Sequence, residues 1–437
     1  MSDDDSMQPK LITSADMRMK SKVSLIATAC ARYPHSLDCL AMESSPVDLV
    51  AFGSSHNLCL MEDAQNVVAT CSGHVENVTC VRWIKRTLSS ENDGRHFLFS
   101  CACNGASMLW EYCKATGCLL KRLALDEKNE QSGVTFGCGI SISENVCLLT
   151  TACAESMKIW TVDLVADSNA ARCQPVQSGL GFCLTADFTV LKGGAVLLAT
   201  GHDDNSIRLH VCQEPCASTQ FDCNVLKLTG HVDWIRALAF NDSSENLLLA
   251  SSSQDCFIRL WKIESSTSSP RVRDHDRPLE VRQKTFSPLV SDLRWHPSKQ
   301  QLLSSSMDKC LLLWAQDPQS EVWIEEVRLG HMGGEAAGYY GAVFLCGGRG
   351  ILAHSYQGGL HCWRQREDST NSWQPDLTVS GHFGPVVDLA WDTKGRFLLS
   401  CSTDQTTRLY APWRRDGAAK VSPSLYTVFS RSRPLGV

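Results

Sequence analysis

Apolar residues in this chain come in short runs, such as VCLLTTA, AVLLATG and LLLAS, divided by turns rich in Asn, Asp, Ser and Gly. Runs of that length between turn clusters predict strands. The clearest stretch spans residues 230–261, GHVDWIRALAFNDSSENLLLASSSQDCFIRLW. It opens at Gly230-His231 and passes through an apolar run with polar interruptions, Trp234 to Phe240. It turns into Leu247–Ser251, turns again at Asp255, and ends in FIRLW at Trp261. Three short strands cannot bury both faces alone, so the pattern predicts a unit that stacks on copies of itself.

The copies are present. The closing strand recurs as CNGASMLW at Trp110, CAESMKIW at Trp160, HDDNSIRLH at His210, SMDKCLLLW at Trp314, SYQGGLHCW at Trp363 and STDQTTRLY at Tyr410. A weaker copy, AFGSSHNLCL, ends at Leu60. Successive landmarks lie 50, 50, 50, 51, 53, 49 and 47 residues apart. A period of this length, with a Gly-His start and a Trp-type end, is the signature of WD40 blades in an all-β propeller.

Within the best copy, His231, Ser251, Asp255 and Trp261 resemble the structural tetrad of WD40 blades. The imidazole is expected between the carboxylate and the hydroxyl, with Ser251 reaching the indole N–H. The unit ending at Tyr410 carries His382, Ser400 and Asp404; the unit ending at Trp314 carries Ser304 and Asp308, with Phe286 in place of the histidine. The unit ending at Trp110 has His74 and Ser100, with Asn104 replacing the acid. A His, Ser and Asp together also suggest a hydrolase. Against that, the trio recurs once per repeat, as a fold device would, and no G-x-S-x-G elbow is present.

A formal net charge of −6 with 20% charged residues argues against a dedicated nucleic-acid binder. No apolar run reaches the roughly eighteen residues a bilayer span needs. The start, MSDDDSMQPK, lacks a secretory pattern. Cytoplasm and nucleus are therefore the expected locations. The 22 cysteines are then expected to be reduced and mostly packed as small hydrophobes. Cys101-Ala-Cys103 and Cys212 to Cys216 lack a second ligand pair, so no metal or other cofactor is expected.

Along the chain, residues 1–38 read as an N-terminal segment, disordered at first and then possessing one outer strand. Residues 39–366 read as a seven-bladed propeller, 367–415 as one additional blade, and 416–437 as a disordered tail. An eight-bladed ring using every unit is the alternative. The Ser/Pro-rich stretch after Trp261, with its four Arg, reads as a mobile loop rather than a strand.

Three segments carry a more specific resemblance: GHVDWIRALAF…ASSSQDCFIRLWKI, SSSMDKCLLLWA…VWIEEVRLGHMGGEAAGYYGAVF and SGHFGPVVDLAWDTKGRF…STDQTTRLYAPW. They resemble the family of the second subunit of the Elongator complex, over most of residues 45–415. VWIEEVRLG, GGEAAGYYG and TDQTTRLYAPW lie outside the generic WD40 consensus. The resemblance implies a non-catalytic scaffold in the assembly that modifies tRNA wobble uridines. It implies contacts with the largest scaffold subunit and the radical-SAM acetyltransferase subunit, with tRNA reached indirectly, and a link to STAT-type signalling proteins. The family has two seven-bladed propellers, so this chain reads as a form truncated after the first blade of the second.

Partner contacts are expected on the turns that follow each Gly-His pair. Asp233, Trp234 and Arg236 are the leading candidates there, Trp234 being read either as a contact or as packing between blades. Phe383 and Pro385 occupy the equivalent turn of the last unit, and Glu76 and Asn77 that of the second. A propeller enzyme would need carboxylates or ligands converging on the channel, and the recurring acids are already used in the tetrad turns. A generic WD40 adaptor in signalling or ubiquitin ligation is the alternative function.

Overall fold

The computed structural model describes residues 30–31, 33–40, 48–62, 66–86, 95–114, 116–125, 134–153, 157–164, 171–176, 181–191, 194–213, 221, 226–241, 247–265, 270–272, 279–282, 290–330, 338–356, 358–366, 372–376, 386–391, 393, 398–402 and 407–410. Of the sites expected from sequence, His382, Phe383, Pro385 and Asp404 lie outside these residues, as do the segments 1–29 and 411–437. The fold is all-β: apart from one short 3₁₀ turn at Cys346–Gly348, every described element is a strand. No described helix is long and apolar enough to cross a membrane.

Eight antiparallel sheets follow one another along the chain. The first spans 37–72, the second 78–125, the third 134–176, the fourth 183–228, the fifth 235–282, the sixth 290–329, the seventh 339–375 and the eighth 386–410. Each is a meander, in which consecutive strands pair, so a turn of a few residues suffices between neighbours. The third sheet adds the pair Lys85–Arg86, parallel to Ile140 and Ser141.

The hydrophobic clusters lie between sheets, not within them. Phe52's neighbour Ala51 packs with Val78 and Trp110 between the first and second sheets, and Phe99, Phe136 and Phe188 join the second, third and fourth. Phe240 and Trp261 pack on Leu197 and Leu209 between the fourth and fifth. Ile258 and Leu312 share the next cluster, and Leu313 and Ile351 the one after. A last cluster joins Phe52 and Met61 of the first sheet to Val343 and Leu352 of the seventh. Contacts among the described residues thus form a closed circuit of seven sheets, the geometry of a propeller.

That stacking explains the sequence pattern. A strand inside a stack of sheets is covered on both faces, so it reads as a continuous apolar run. Val196–His202 is buried throughout, whereas the outermost strand Trp323–Leu329 has Glu325 and Glu326 exposed.

The structure corrects four readings made from sequence. Leu37 and Asp38, read as part of the N-terminal segment, belong to Leu37–Leu40, the innermost strand of the first sheet, and the outer strand expected in that segment falls mostly outside the described residues. That sheet has four strands and is complete. The stretch after Trp261 contributes strands at Pro270–Val272 and Leu279–Arg282, both paired to Phe257–Ser265. Trp373–Pro375, assigned to the following unit, is the outermost strand of the seventh sheet.

One irregularity recurs in the innermost strands. Each of sheets two to eight has a register shift between its first and third residues: Val78/Cys80, Val134/Phe136, Cys183/Thr185, Ile235/Ala237, Val290/Asp292, Tyr339/Gly341 and Val386/Asp388. A bulge at that point adds twist where the strand enters the crowded centre. The extra residue is Arg236 in the fifth sheet and Tyr340 in the seventh.

Candidate protein-interaction face

The fifth sheet shows how one face of the ring is built. The Trp261 indole nitrogen can only donate, and it lies 2.9 Å from Ser251 Oγ. Ser251 Oγ is 2.8 Å from His231 Nε2, and His231 Nδ1 is 2.8 Å from Asp255 Oδ2. One proton arrangement satisfies all four groups: Trp261 donates to Ser251, Ser251 to His231 Nε2, and His231 Nδ1–H to Asp255. Burial works against the ionised form of Asp255, but hydrogen bonds from His231 and the N–H groups of Phe257 and Val232 hold its carboxyl below the ordinary value. Ser251 is fully buried and occupied on both sides, so it cannot serve as a nucleophile.

The other sheets keep parts of this arrangement. Trp110 donates to Ser100 at 2.8 Å and Ser100 reaches His74 Nε2 at 2.7 Å, but with Asn104 replacing the acid, His74 Nδ1 is left without a partner. Trp314 donates to Ser304 at 2.9 Å; Asp308 accepts from the N–H of Cys310, and its Oδ2 is unpartnered. The third and fourth sheets use threonine: Trp160 donates to Thr151 at 3.0 Å, and Thr200 lies 2.9 Å from His202 and 3.3 Å from His210. Ser400 of the eighth sheet is buried.

Asp255 has a second duty that explains its place. In the turn between the second and third strands, the acid or amide accepts from the N–H two residues on: Asp255 from Phe257, Asp308 from Cys310, Asp204 from Ser206 and Asn104 from Ala106. The residue between them has positive φ: Cys256 69°, Lys309 75°, Asn205 64° and Gly105 90°. Only a turn closed by its own side chain holds three non-glycine residues there. Asp204 was not singled out from sequence, although its offset within the HDDNS turn is the same.

The His231–Asp255 contact brings two sets of turns to one face, and a backbone bond repeats the link. Cys103 N–H donates to Asn77 O, Asp203 to Phe182, Gln254 to Trp234 and Tyr356 to Gly338. Asn77, Phe182, Trp234 and Gly338 therefore occupy the same position, just before the innermost strand.

Side chains there differ in fate. Trp234 is 46% exposed and projects from its turn, which leaves its indole available for a contact. Asp233 is half-buried and caps its own turn, accepting from Trp234 N–H at 2.8 Å. Arg236 is not on the turn; it is the half-buried bulge residue of the innermost strand. Glu76 and Asn77 are exposed, with Asn77 accepting from Ser55 Oγ of the neighbouring sheet. Sequence reasoning passed over Val75 (82% exposed), Val232 (75% exposed), Phe182 and Tyr356, which are also exposed on this face. Val75 and Val232 each follow a Gly-His pair directly, a positional signal that could have found them.

A charged layer lines the inner strands. Arg82 Nη2 lies 2.7 Å from His35 Nδ1 and 3.9 Å from Asp292. Arg294 pairs with Asp38 at 3.0 Å and Asp292 at 3.3 Å. Lys85 pairs with Asp187 at 2.9 Å. Asp38 and Asp187 also accept from the backbone of the next sheet, Trp83 N–H and Phe240 N–H, each at 2.8 Å. Among the described residues no group of three or more His, Cys, Asp or Glu is arranged to hold a metal ion.

Comparisons with known proteins agree on the repeat and narrow the kinship. The family model "WD domain, G-beta repeat" matches residues 223–262, 280–315 and 373–411. The chain is 35% identical over 419 residues to Elongator complex protein 2 of Drosophila melanogaster, covering 85% of this chain and 50% of that protein. Against the Homo sapiens protein of that name it is 32% identical over 424 residues, covering 88% and 49%. Against the Schizosaccharomyces pombe protein it is 27% identical over 429 residues, covering 89% and 52%. The chain thus spans about half the length of the curated relatives it matches. A chain of the crystal structure of the mitotic checkpoint complex has the same fold, with a TM-score of 0.54 at 18% identity, covering 83% of this chain and 98% of that one. Repeat, ring and similarity over most of its residues make this chain a WD40-repeat homologue of Elongator complex protein 2.

Proposed function

We propose that this chain is a non-catalytic scaffold subunit of an Elongator complex and supports tRNA wobble-uridine modification through protein–protein contacts. Its partners on this reading are the largest scaffold subunit and the radical-SAM acetyltransferase subunit. Transfer RNA is reached through the assembly, and cytoplasm and nucleus are the places of action. The observation that carries the reading is the similarity to Elongator complex protein 2 over 85% of the chain. Two structural features support it. The buried Ser251 and the paired channel carboxylates are committed to the fold, and the aromatic Trp234 is left projecting on a rigid turn.

Affinity capture of the tagged full-length chain, with mass spectrometry of what is retained, tests this. Elongator subunits in stoichiometric amounts are the expected result. A ubiquitin ligase or signalling assembly in their place would establish the generic adaptor instead.

A further inference from the structure

The cations of the inner strands have carboxylate partners with one exception. Arg82, Arg294 and Lys85 are paired with Asp292, Asp38 and Asp187. Arg236 makes no hydrogen bond or ion pair with a described residue, and its Nε is buried and unpartnered. Burial pushes the guanidinium below its ordinary value. Burial first, then the charges of Arg82 and Arg236, hold His35 well down, so the imidazole adds no charge of its own. A half-buried guanidinium whose Nε is shut off from solvent and unpaired is costly unless something supplies an anion.

Its surroundings describe what would fit. Arg236 is two residues from exposed Trp234, at the bulge where the innermost strand meets the turn face. Tyr340 is the bulge residue at the same position of the seventh sheet's innermost strand, which puts both at the same end of the ring, and its phenol works against the lowering of the guanidinium. Tyr340 stacks on His354 at 6.1 Å and faces Tyr356 at 5.8 Å, and Tyr356 reaches the surface. Among the described residues, the mouth therefore offers one cation without a carboxylate partner, beside aromatic side chains.

We propose that the turn-face mouth of the channel recognises a carboxylate side chain, the Glu or Asp of a protein partner's loop, with Arg236 as its counter-ion. The residues flanking that acid pack on Trp234 and Tyr356. A guanidinium pairs with a carboxylate through two parallel hydrogen bonds, which supplies direction as well as charge. A polyanion such as RNA fits poorly, because Asp203, Asp204 and Asp233 stand on the same face and the chain carries a net charge of −6. The proposal rests on the reading of this face as a protein contact, and it does not depend on the partner being an Elongator subunit.

The test is binding of a panel of fluorescein-labelled, end-capped hexapeptides to the full-length chain. Their centres are Glu, Asp, Gln or Asn, flanked by all combinations of Leu, Phe and Ser. Acidic centres should bind about tenfold tighter or more than their amides, the factor that roughly 1.4 kcal/mol gives. Arg236→Gln should erase the difference with an unlowered melting midpoint, Arg236→Lys should keep part of it, and Trp234→Ala should weaken both classes alike. Equal binding of acids and amides, no binding across the panel, or displacement by a single-stranded RNA dodecamer would overturn the proposal. Loss of peptide preference in Arg236→Gln with Elongator subunits still captured would leave the scaffold reading intact. Failure of capture by the wild type would remove the scaffold reading and leave the carboxylate site standing.

Discussion

Ser251 accepts the indole proton of Trp261 at 2.9 Å while standing 2.8 Å from His231. Ser304 accepts the indole proton of Trp314 at the same distance, and its sheet has no histidine there among the described residues. Ser251→Ala therefore strands two buried groups and Ser304→Ala one. At about 1–3 kcal/mol per stranded group, Ser251→Ala should cost about 2–6 kcal/mol and Ser304→Ala about half that. Chemical-denaturation midpoints of the two variants decide it; equal losses would show that the histidine link adds nothing.

His74 offers the reverse experiment. Its Nδ1 lacks the carboxylate that Asp255 gives to His231, and Asn104 sits at the matching turn position. Asn104→Asp keeps the bond from Ala106 N–H and adds an acceptor for the imidazole. We expect a gain of about 1 kcal/mol, together with a rise in the titration of His74 from its present value of about 4. An imidazole resonance followed by NMR across pH would report both states.

Acid should unfold the protein before its carboxylates titrate. Burial pushes His74, His202, His210, His354 and His361 each down to about 4, from an ordinary value of 6.5. Between those values the unfolded chain binds more protons than the folded one, so stability is present above 6.5 and is lost as pH falls toward 4. Asp292 acts oppositely. Burial lifts it to about 7 from 3.8, so its share is present below 3.8 and lost as pH rises through 7. Five groups outweigh one, and the melting midpoint should fall steadily from pH 6.5 to pH 4.5. A level midpoint across that window contradicts the argument.

Asp187 joins three parts of the ring: it pairs with Lys85 of the third sheet's parallel strand and accepts from Phe240 N–H of the fifth sheet. Asp187→Ala takes the carboxylate from a half-buried ammonium that keeps its bond to Phe188 O, and takes the acceptor from Phe240 N–H. A loss of about 2–4 kcal/mol is expected, with faster hydrogen exchange concentrated at Phe240. If exchange at Phe240 stays slow, the carboxylate is not the link.

Trp234→Ala should leave the circular-dichroism melt nearly unchanged, since the side chain is 46% exposed and its backbone bonds to Asp233 and Gln254 do not need the indole. Capture of the partner subunits should weaken by about tenfold or more, the range of an interface anchor. Unaltered capture would falsify its role as a contact.

The part of this fold that could be read in advance is the part repeated in side chains. Trp110, Trp261 and Trp314, each ten residues after a serine, recur because one indole proton needs one hydroxyl across two strands. Leu37 and Asp38 were left in the N-terminal segment, outside the propeller, because LDCL is too short to show a period and Asp38 looks like a surface residue until Arg294 and Trp83 enclose it. Pro270–Val272 hid among Ser and Arg, as an outermost strand needs little more than a neighbour's free edge. Arg236 was placed on the wrong side of the turn because a bulge reverses the alternation that sequence spacing assumes. Phe182 escaped notice since its unit lacks the Gly-His pair used to locate turns.

Where the ring closes, no strand is exchanged among the described residues. Cys30 N–H reaches Gly358 O, Ala31 N–H reaches Gly53 O, and His354 meets Tyr33 O at 2.9 Å, while each sheet is woven from its own consecutive strands. Apart from this seam and the short Lys85–Arg86 pair, the strand pairings are thus local, and most wedges can form from strands that are near neighbours in the chain. Such a molecule is a ribbon of independent wedges that becomes a circle where the start of its first wedge meets its seventh.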